Sequence, residues 1–192
     1  MIGRAAQGAA VLLASLVLAT ACSSSNRPED LSLSEAKPCQ LILHSKFQAL
    51  NISRGPTLSD TAGGYGLEGS SCDYSVRYET PRPPISVFTS NTVTLSVITN
   101  HGVDEQIDGA ADDASDEYKD VPPIEGYRAV RVWNVAHPPG PNTSCELYVD
   151  VADEQMLRVY LPKSRGEGDP PTCQTARQFA KEALKTLRTR QG

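Results

Sequence analysis

Two segments of the chain alternate strictly between apolar and polar side chains, which is the pattern of a half-buried β-strand. The apolar positions are Cys72, Tyr74, Val76 and Tyr78 in the first segment, and Cys145, Leu147, Val149 and Val151 in the second. Because successive side chains of a strand point to opposite faces, each set is expected to lie against a core. Each of these two predicted strands begins with a cysteine.

Further segments of the chain are predicted to belong to the same antiparallel sheet. They are residues 85–88, 92–99, 128–135 and 155–161. The predicted turns are the proline cluster Pro81, Pro83 and Pro84, the pair Ser90-Asn91, and the pair Asp153-Glu154. Proline cannot donate the hydrogen bond that a strand needs, and a short polar pair between two apolar runs is typical of a hairpin.

Apolar side chains at helical spacing predict a helix near the start of the folded region. Leu43, Phe47 and Leu50 recur at intervals of three or four residues, so residues 41–50 are expected to be helical.

The end of the chain carries the clearest helical pattern. Thr172 is a candidate N-cap after two prolines, and Arg188 and Arg190 complement the helix dipole at the other end. The apolar stripe between them consists of Cys173, Ala176, Ala180, Ala183, Leu184 and Leu187. The expected fold is therefore α+β, with an antiparallel sheet of about five to six strands flanked by an N-terminal and a C-terminal helix.

The segment from Asp104 to Asp120 is rich in carboxylates. Its eight acidic residues are Asp104, Glu105, Asp108, Asp112, Asp113, Asp116, Glu117 and Asp120. A calcium loop would need the spacing D-x-[DN]-x-[DN]-G with a glutamate at its twelfth position, and this spacing is missing. The segment is therefore predicted to be a solvated helix or a mobile loop, with helix favoured over residues 108–118.

The N-terminus has the organisation of an export signal. Arg4 supplies a positive charge, and a charge-free apolar run extends over residues 9–21. This run is too short to span a bilayer, so residues 1–21 are predicted to be a signal peptide. The stretch Leu18 to Cys22 resembles a bacterial lipobox, although Ala19 stands where leucine is usual. We therefore predict cleavage before Cys22 and lipidation of its sulfur, with acyl groups such as palmitate. Ordinary cleavage would leave Cys22 as a free thiol.

The predicted mature protein has two parts. Residues 22–36 form a lipidated cysteine and a flexible tether, and residues 37–191 form a single extracytoplasmic domain. The expected location is the extracytoplasmic face of the cell membrane. The formal net charge is -5, and removal of Arg4 with the signal peptide makes it -6. An acidic chain excludes nucleic acid as the main partner, and it leaves membrane attachment to the acyl chains rather than to charge.

Lipidation of one cysteine accounts for the odd number of cysteines in the chain. The chain has 5 cysteines, and lipidation of Cys22 leaves an even number, which in an exported protein implies two disulfides. Four cysteines allow three pairings, and the sequence alone does not choose among them. The simplest arrangement joins each predicted terminal helix to a strand, with Cys39 bonded to Cys72 and Cys145 bonded to Cys173. A metal site or a redox pair is disfavoured because the chain contains no CxxC motif.

The sequence has no recognisable motif for catalysis or cofactor binding. The three histidines, His44, His101 and His137, have no partner at metal-ligand spacing, and the sequence contains neither HExxH nor GxSxG. Trp133, with Tyr127 nearby in the sequence, could mark a binding surface, but a single tryptophan in a strand is more often part of the core. No catalytic residue, cofactor or metal ligand is predicted.

Four short motifs follow one another in an order that spans residues 38–187. They are Pro38-Cys39-Gln40-Leu41-Ile42, Cys72-Asp73-Tyr74, Ile124-Glu125-Gly126-Tyr127, and Cys173 with Ala176, Phe179, Ala180, Leu184 and Leu187. In this order they resemble an actinobacterial family of exported lipoproteins, domain of unknown function 3558, which includes LprB- and LprC-like proteins. The resemblance implies a cell-envelope lipoprotein with a small α+β domain. It carries over no functional residue, because the family has no established activity.

These features together favour a non-catalytic binding or accessory module of the cell envelope, tethered to the membrane. Its expected partners are the membrane, through the lipid anchor, and either another envelope protein or a small apolar ligand. The alternatives are a carrier of lipid or of another apolar ligand, and an envelope hydrolase whose site has no recognisable motif.

Overall fold

The computed structural model describes residues 28–62, 66–82, 85–110, 115–140, 143–163 and 172–192. Its strands are β1 (Thr57–Ser59), β2 (Gly69–Arg82), β3 (Ile85–Ile98), β4 (Asp116–Ile124), β5 (Tyr127–Asn134), β6 (Cys145–Ala152) and β7 (Gln155–Leu161). Its helices are α1 (Val103–Ala110) and α2 (Thr172–Gln191), and two short 3-10 turns, Pro38–Gln40 and His44–Lys46, precede β1. The predicted signal peptide and the lipidation site Cys22 lie outside the described residues.

The described strands form one antiparallel sheet in the order β1-β2-β3-β7-β6-β5-β4. The predicted α+β class with an antiparallel sheet is confirmed, but the sheet has seven strands rather than five or six. The short strand β1 lies at one edge and β4 lies at the other, and neither was predicted. Strands β5, β6 and β7 lie within one residue of their predicted limits.

The long hairpin of β2 and β3 corrects one predicted turn. Ser90 and Asn91 lie inside β3, where Ser90 pairs with Arg77 of β2. Ser90 is exposed to solvent, so a polar residue is compatible with a strand at this position. The chain reverses instead between Arg82 and Ile85, which pair with each other in the proline-rich segment.

The predicted N-terminal helix over residues 41–50 is wrong. Leu41, Ile42 and Leu50 are buried, whereas Leu43 is 47% exposed. Leu43 also has an extended backbone, with φ of -66° and ψ of 143°, and an extended residue interrupts a helix. The chain makes two separate 3-10 turns here, and this path brings the consecutive residues Leu41 and Ile42 to the core together.

The acidic segment is partly helix and partly strand. The helix predicted over 108–118 is displaced, because α1 begins at Val103 and Tyr118 belongs to β4. Val103 is buried and Ile107 is partly buried against the sheet, which fixes the position of α1. Residues 111–114 lie outside the described part of the chain.

The sheet separates two hydrophobic clusters. Leu147 and Val149 of β6 point to the face that α2 covers, and this face forms the larger cluster. Tyr148, between them, points to the opposite face and packs in a smaller cluster with Val103 of α1. We call these two halves of the molecule the α2 side and the α1 side.

The folded part of the chain begins N-terminal of Lys37, where the sequence analysis placed the start of the domain. Leu31 and Leu33 are 4% and 1% exposed and belong to the cluster of the α2 side. The backbone N–H of Leu31 donates to the carbonyl of Val151 at 2.9 Å. Part of the segment predicted to be a free tether is therefore held against β6, because these two leucines bury their side chains.

Candidate functional site

The disulfides lie where α2 and the first 3-10 turn meet the sheet. Cys39 is bonded to Cys72 of β2, and Cys145 at the start of β6 is bonded to Cys173 in the first turn of α2. This is the pairing that the simplest sequence model predicts. Cys72 and Cys145 are fully buried, so both bridges are part of the packed α2 side. The predicted lipidation site, Cys22, lies outside the described residues.

The histidines singled out in the sequence lie in different local settings. The ring of His44 packs against Phe47, with centroids 4.9 Å apart. Nδ1 of His101 lies 3.1 Å from the carbonyl of Asn100, and His137 is exposed. Among the described residues, no group of three or more histidine, cysteine, aspartate or glutamate side chains is placed to hold a metal ion. Within the same residues, no helix is long and apolar enough to cross a bilayer.

The aromatic pair Tyr127 and Trp133 is mainly structural. Tyr127 is 1% exposed, and its hydroxyl donates to the carbonyl of Glu29 at 2.6 Å. The guanidinium of Arg188 lies over its ring, 5.1 Å from the centroid. Trp133 is half-buried near the end of β5. Tyr127 therefore supports the end of α2 rather than forming a surface with Trp133.

The outward face of α2 is the strongest candidate for a functional surface. The helix buries its apolar stripe against the sheet, which leaves Gln174, Gln178, Lys181 and Lys185 exposed along the opposite face. These positions recur at intervals of three or four residues, so they form one continuous line on the helix. Arg177 lies beside that line, half-buried.

Two glutamates each lie between two cations of this face. Oε2 of Glu182 lies 3.5 Å from Nζ of Lys46 and its Oε1 lies 2.9 Å from Nζ of Lys185. Glu125 is placed in the same way between Lys181, at 3.6 Å, and Arg188, at 3.5 Å. The hydrogen bond from Lys185, with the charges of Lys185 and Lys46, keeps the pKa of Glu182 below its ordinary value. Each carboxylate therefore lies between two cations.

The carboxylates lie deeper than the cations that surround them. The side chains of Glu182 and Glu125 are 18% and 22% exposed, whereas those of Lys46, Lys181 and Lys185 are 46%, 52% and 45% exposed. Solvent therefore meets the ammonium groups first. We define the α2 surface by its eight polar side chains: Lys46, Glu125, Arg177, Gln178, Lys181, Glu182, Lys185 and Arg188.

The turn that carries Glu125 is tightly constrained. Glu125 and Gly126 join β4 to β5 and have φ of 52° and 89°, as the two-residue type I′ hairpin requires. The carboxylate of Glu125 faces α2, and its carbonyl accepts a hydrogen bond from Arg188. At Gly126 a Cβ atom would lie 2.8 Å from Cγ of Pro28, so glycine also makes room for the N-terminal segment.

Two open grooves border the α2 surface. The larger, of about 520 Å³, is lined by Pro123, Ile124, Glu125, Cys173, Gln174, Arg177, Gln178 and Lys181. The smaller, of about 280 Å³, is lined by Lys46, Ala49, Leu50, Gln178, Lys181, Glu182 and Lys185. Arg177 donates to the carbonyls of Pro122 and Pro123 at 2.8 and 3.2 Å. These bonds and the nearby disulfide of Cys173 hold the walls of the larger groove in place.

The N-terminal segment leaves the fold beside the end of α2. The amide of Ser32 donates to Oε1 of Gln191 at 3.0 Å, and Nε2 of Gln191 donates back to the carbonyl of Ser32 at 2.6 Å. Pro28, the first described residue, lines a groove together with Arg188 and Gly192. The chain that leads toward Cys22 therefore starts from the C-terminal end of α2.

The α1 side carries the opposite charge. Arg128 lies between Asp104 of α1 and Asp120 of β4, and α1 also carries the exposed carboxylates Glu105 and Asp108. Arg128 bonds Asp104 at 2.5 Å and Asp120 at 2.9 Å. These attractions raise the pKa of the Arg128 guanidinium, the hydrogen bond to Asp104 being the largest contribution.

A half-buried polar cluster lies on the same side of the sheet. Nε of Arg158 donates to Glu146 at 2.6 Å, and the hydroxyl of Tyr148 donates to the same carboxylate oxygen at 2.9 Å. Burial lowers the pKa of Arg158, but the attraction of Glu146 outweighs it and the net shift is upward. Burial also raises the pKa of the Tyr148 hydroxyl. The sequence analysis missed this cluster, because its members look like ordinary outward-facing residues of their strands.

The sequence analysis also missed the α2 surface as a unit. Arg177, Lys181, Lys185 and Arg188 lie on one helix at spacings of three and four residues, and this pattern was available in the sequence. Glu182 lies three residues before Lys185 on the same helix, whereas the other carboxylate partner, Glu125, lies more than fifty positions away along the chain. Only the basic residues of the last turn, Arg188 and Arg190, had been singled out.

The model of a family described as protein of unknown function (DUF3558) matches residues 15–186. No curated protein matches the chain, and no solved structure matches it.

Proposed function

Because the chain belongs to the DUF3558 family, whose function is unknown, we propose that it is an actinobacterial exported lipoprotein acting as a non-catalytic binding or accessory module of the cell envelope. In this proposal Cys22 carries the lipid, and the domain stands on the extracytoplasmic face of the membrane. The α2 surface and the two grooves beside it form the binding surface.

The proposed anchor is supported by two observations. The region matched by the family model begins at residue 15 and so includes the lipobox-like stretch from Leu18 to Cys22. Pro28 is fixed beside the end of α2, and five residues lie between it and Cys22, which makes six Cα–Cα steps. A chain extends by at most about 3.5 Å per residue, so this separation spans no more than ~21 Å. The end of α2 would thus stand close to the anchored sulfur.

The observation that carries the proposed binding role is the construction of the α2 surface. Five cations and two carboxylates lie on one face, with the carboxylates at 18% and 22% exposure beneath the more exposed ammonium groups. The walls of the adjacent groove are fixed by a disulfide and by the two hydrogen bonds of Arg177. A fixed surface of this kind binds with a small loss of conformational entropy.

Lipidation is tested by the variant Cys22→Ala, expressed in an actinobacterial host. The parent protein is expected in the detergent phase of a two-phase extraction, with a mature mass that includes acyl groups. Cys22→Ala is expected to lose both properties, and the matched control Ser24→Ala is expected to keep them. A parent protein in the aqueous phase with an unmodified Cys22 would contradict the anchor.

The binding role is tested by photo-crosslinking in cells. A photoreactive residue is placed at Gln178, within the α2 surface, and separately at the exposed Asp108 of α1 as the control. We expect a discrete adduct from position 178 and a weaker one from position 108. Robust substrate turnover in activity profiling, abolished by a single alanine substitution, would instead establish an enzyme.

A further inference from the structure

The occupant of the α2 surface can be inferred from its charge. The five cations and two carboxylates of this surface give a net charge of +3. The mature chain, without the signal peptide, carries -6, so everything outside the α2 surface together carries -9. The positive charge is thus concentrated on one face of a strongly acidic molecule.

The position of the N-terminal segment indicates how that face would be oriented relative to the membrane. The segment is clasped to the last turn of α2 by the reciprocal hydrogen bonds of Ser32 and Gln191. Only five residues, and so six Cα–Cα steps, connect Pro28 to Cys22, a reach of no more than ~21 Å. The helix itself is about 30 Å long, at about 1.5 Å per residue. A sulfur anchored in the bilayer therefore keeps the α2 surface within reach of the lipid headgroups.

We propose that the α2 surface docks on the anionic headgroups of the membrane to which the protein is tethered. This inference rests on the proposed lipoprotein function, because the tether is what brings the surface to the membrane. Lysines near an anionic bilayer contribute about 1 kcal/mol each to membrane attraction. Lys181 and Lys185 lie on the most exposed line of the helix and would contact phosphate groups directly.

The acidic residues of the N-terminal segment limit the docking area. Asp30 lines a groove with Arg188, and Glu35 lines one with Arg190, both at the C-terminal end of α2. The docking surface therefore runs from Arg177 to Lys185 together with Lys46. The acidic α1 side lies across the sheet and would face away from the membrane.

The first experiment uses the lipidated protein in vesicles and measures amine labelling of its lysines. In vesicles that contain phosphatidylglycerol, Lys181 and Lys185 are expected to be protected, relative to vesicles of pure phosphatidylcholine. Lys119 and Lys163 are exposed elsewhere on the molecule and serve as internal controls whose labelling should not change. Equal labelling of Lys181 and Lys185 in both kinds of vesicle would overturn the proposal.

The second experiment measures binding without the lipid and so separates the two proposals. The mature chain with Cys22→Ser is titrated with the same vesicles at low ionic strength, where surface charges are least screened. Binding to the phosphatidylglycerol vesicles alone is expected. Removing two charges with Lys181→Gln and Lys185→Gln should weaken it by about thirtyfold, since each lysine contributes about 1 kcal/mol.

The matched control removes the same charge elsewhere, with Lys119→Gln and Lys163→Gln, and should change the affinity by less than about twofold. An equal loss in both double variants would overturn the proposal, because it would mean that only the total charge matters. Equal binding to neutral and anionic vesicles, or binding to neither, would overturn it as well. If Cys22 carries no lipid, the detergent extraction shows it and the labelling of the lipidated protein cannot be carried out, but the vesicle titration of Cys22→Ser still decides whether the surface binds anionic lipid.

Discussion

The α2 side and the α1 side share one sheet but differ in how they are held. Among the described residues, the cluster of the α2 side contains 28 buried residues and that of the α1 side contains seven. Both disulfides end in the larger cluster. The α1 side relies instead on a short helix and on the ion pair of Glu146 with Arg158.

The difference in charge follows the difference in packing. The α2 side presents cations from a long helix that is fixed along its whole length, whereas the α1 side presents carboxylates around Arg128. The α2 surface, which is basic, is therefore built on the part of the molecule that is most strongly stabilised. The acidic surface is built on the part where substitutions should cost least.

The largest difference is expected between two core substitutions. Leu184→Ala removes a fully buried side chain of α2 and should lower the free energy of unfolding by about 3–5 kcal/mol. Val103→Ala removes two methyl groups from α1 and should lower it by about 1–2 kcal/mol. Urea unfolding of both variants checks this. Equal losses in the free energy of unfolding would contradict the conclusion that the α2 side is more strongly stabilised than the α1 side.

The disulfides provide the next test. Replacing Cys145 and Cys173 together with alanine opens a loop of 28 residues and should cost roughly 3.5 kcal/mol of stability in the chain-entropy model. The matched variant, Cys39→Ala with Cys72→Ala, opens a loop of 33 residues and should cost about the same. Thermal unfolding measures both. A clearly smaller effect of the first pair would show that α2 is held by its apolar stripe alone.

The polar cluster of the α1 side gives a smaller effect. Glu146→Gln leaves the guanidinium of Arg158, which is 16% exposed, without its ionised partner. Because the pair is partly solvated, the expected loss is about 1–3 kcal/mol. The control Asp104→Asn breaks an exposed pair and should cost less than about 1 kcal/mol. Similar losses of stability for the two variants would mean that the small apolar cluster, rather than the ion pair, stabilises this side.

The smallest effect concerns Glu182 of the α2 surface. Its pKa is lowered in the folded protein, chiefly by the hydrogen bond from Lys185, so its ionised form stabilises the fold above the unfolded pKa. This contribution is lost as the pH falls through the folded pKa. Glu182→Gln should therefore cost about 0.3–0.5 kcal/mol at neutral pH and nothing in strong acid. A difference that stays constant with pH would mean that the pair is not ionic.

The parts of the fold that could be predicted from the sequence are those whose pattern is local. Strands β6 and β7 alternate along their own length, and α2 carries its own apolar stripe, so neighbouring residues were sufficient. Strand β4 has no such alternation, because it is an edge strand whose residues are mostly exposed. Its acidic residues therefore suggested a loop or a helix.

Other features depend on residues that are far apart in the chain. Leu43, Phe47 and Leu50 have helical spacing, but burial of Leu41 and Ile42 against the sheet decides the path of that segment. The α2 surface could be predicted only in part. Lys181, Glu182 and Lys185 lie at helical spacing in the sequence, whereas Glu125 reaches the helix from the distant turn between β4 and β5.

The clasp between Ser32 and Gln191 also determines how the molecule would carry a mechanical load. In the proposed lipoprotein, a pull on the anchor would reach the fold at Glu29, whose carbonyl accepts a hydrogen bond from Tyr127, and then at Leu31, which is bonded to Val151 near the end of β6. The other end of β6 is joined covalently to α2 through Cys145 and Cys173. The strand β6 and the helix α2 are thus fastened to each other or to the N-terminal segment at both ends, so a pull on the proposed lipid anchor would load a crosslinked pair rather than separate one strand from the sheet.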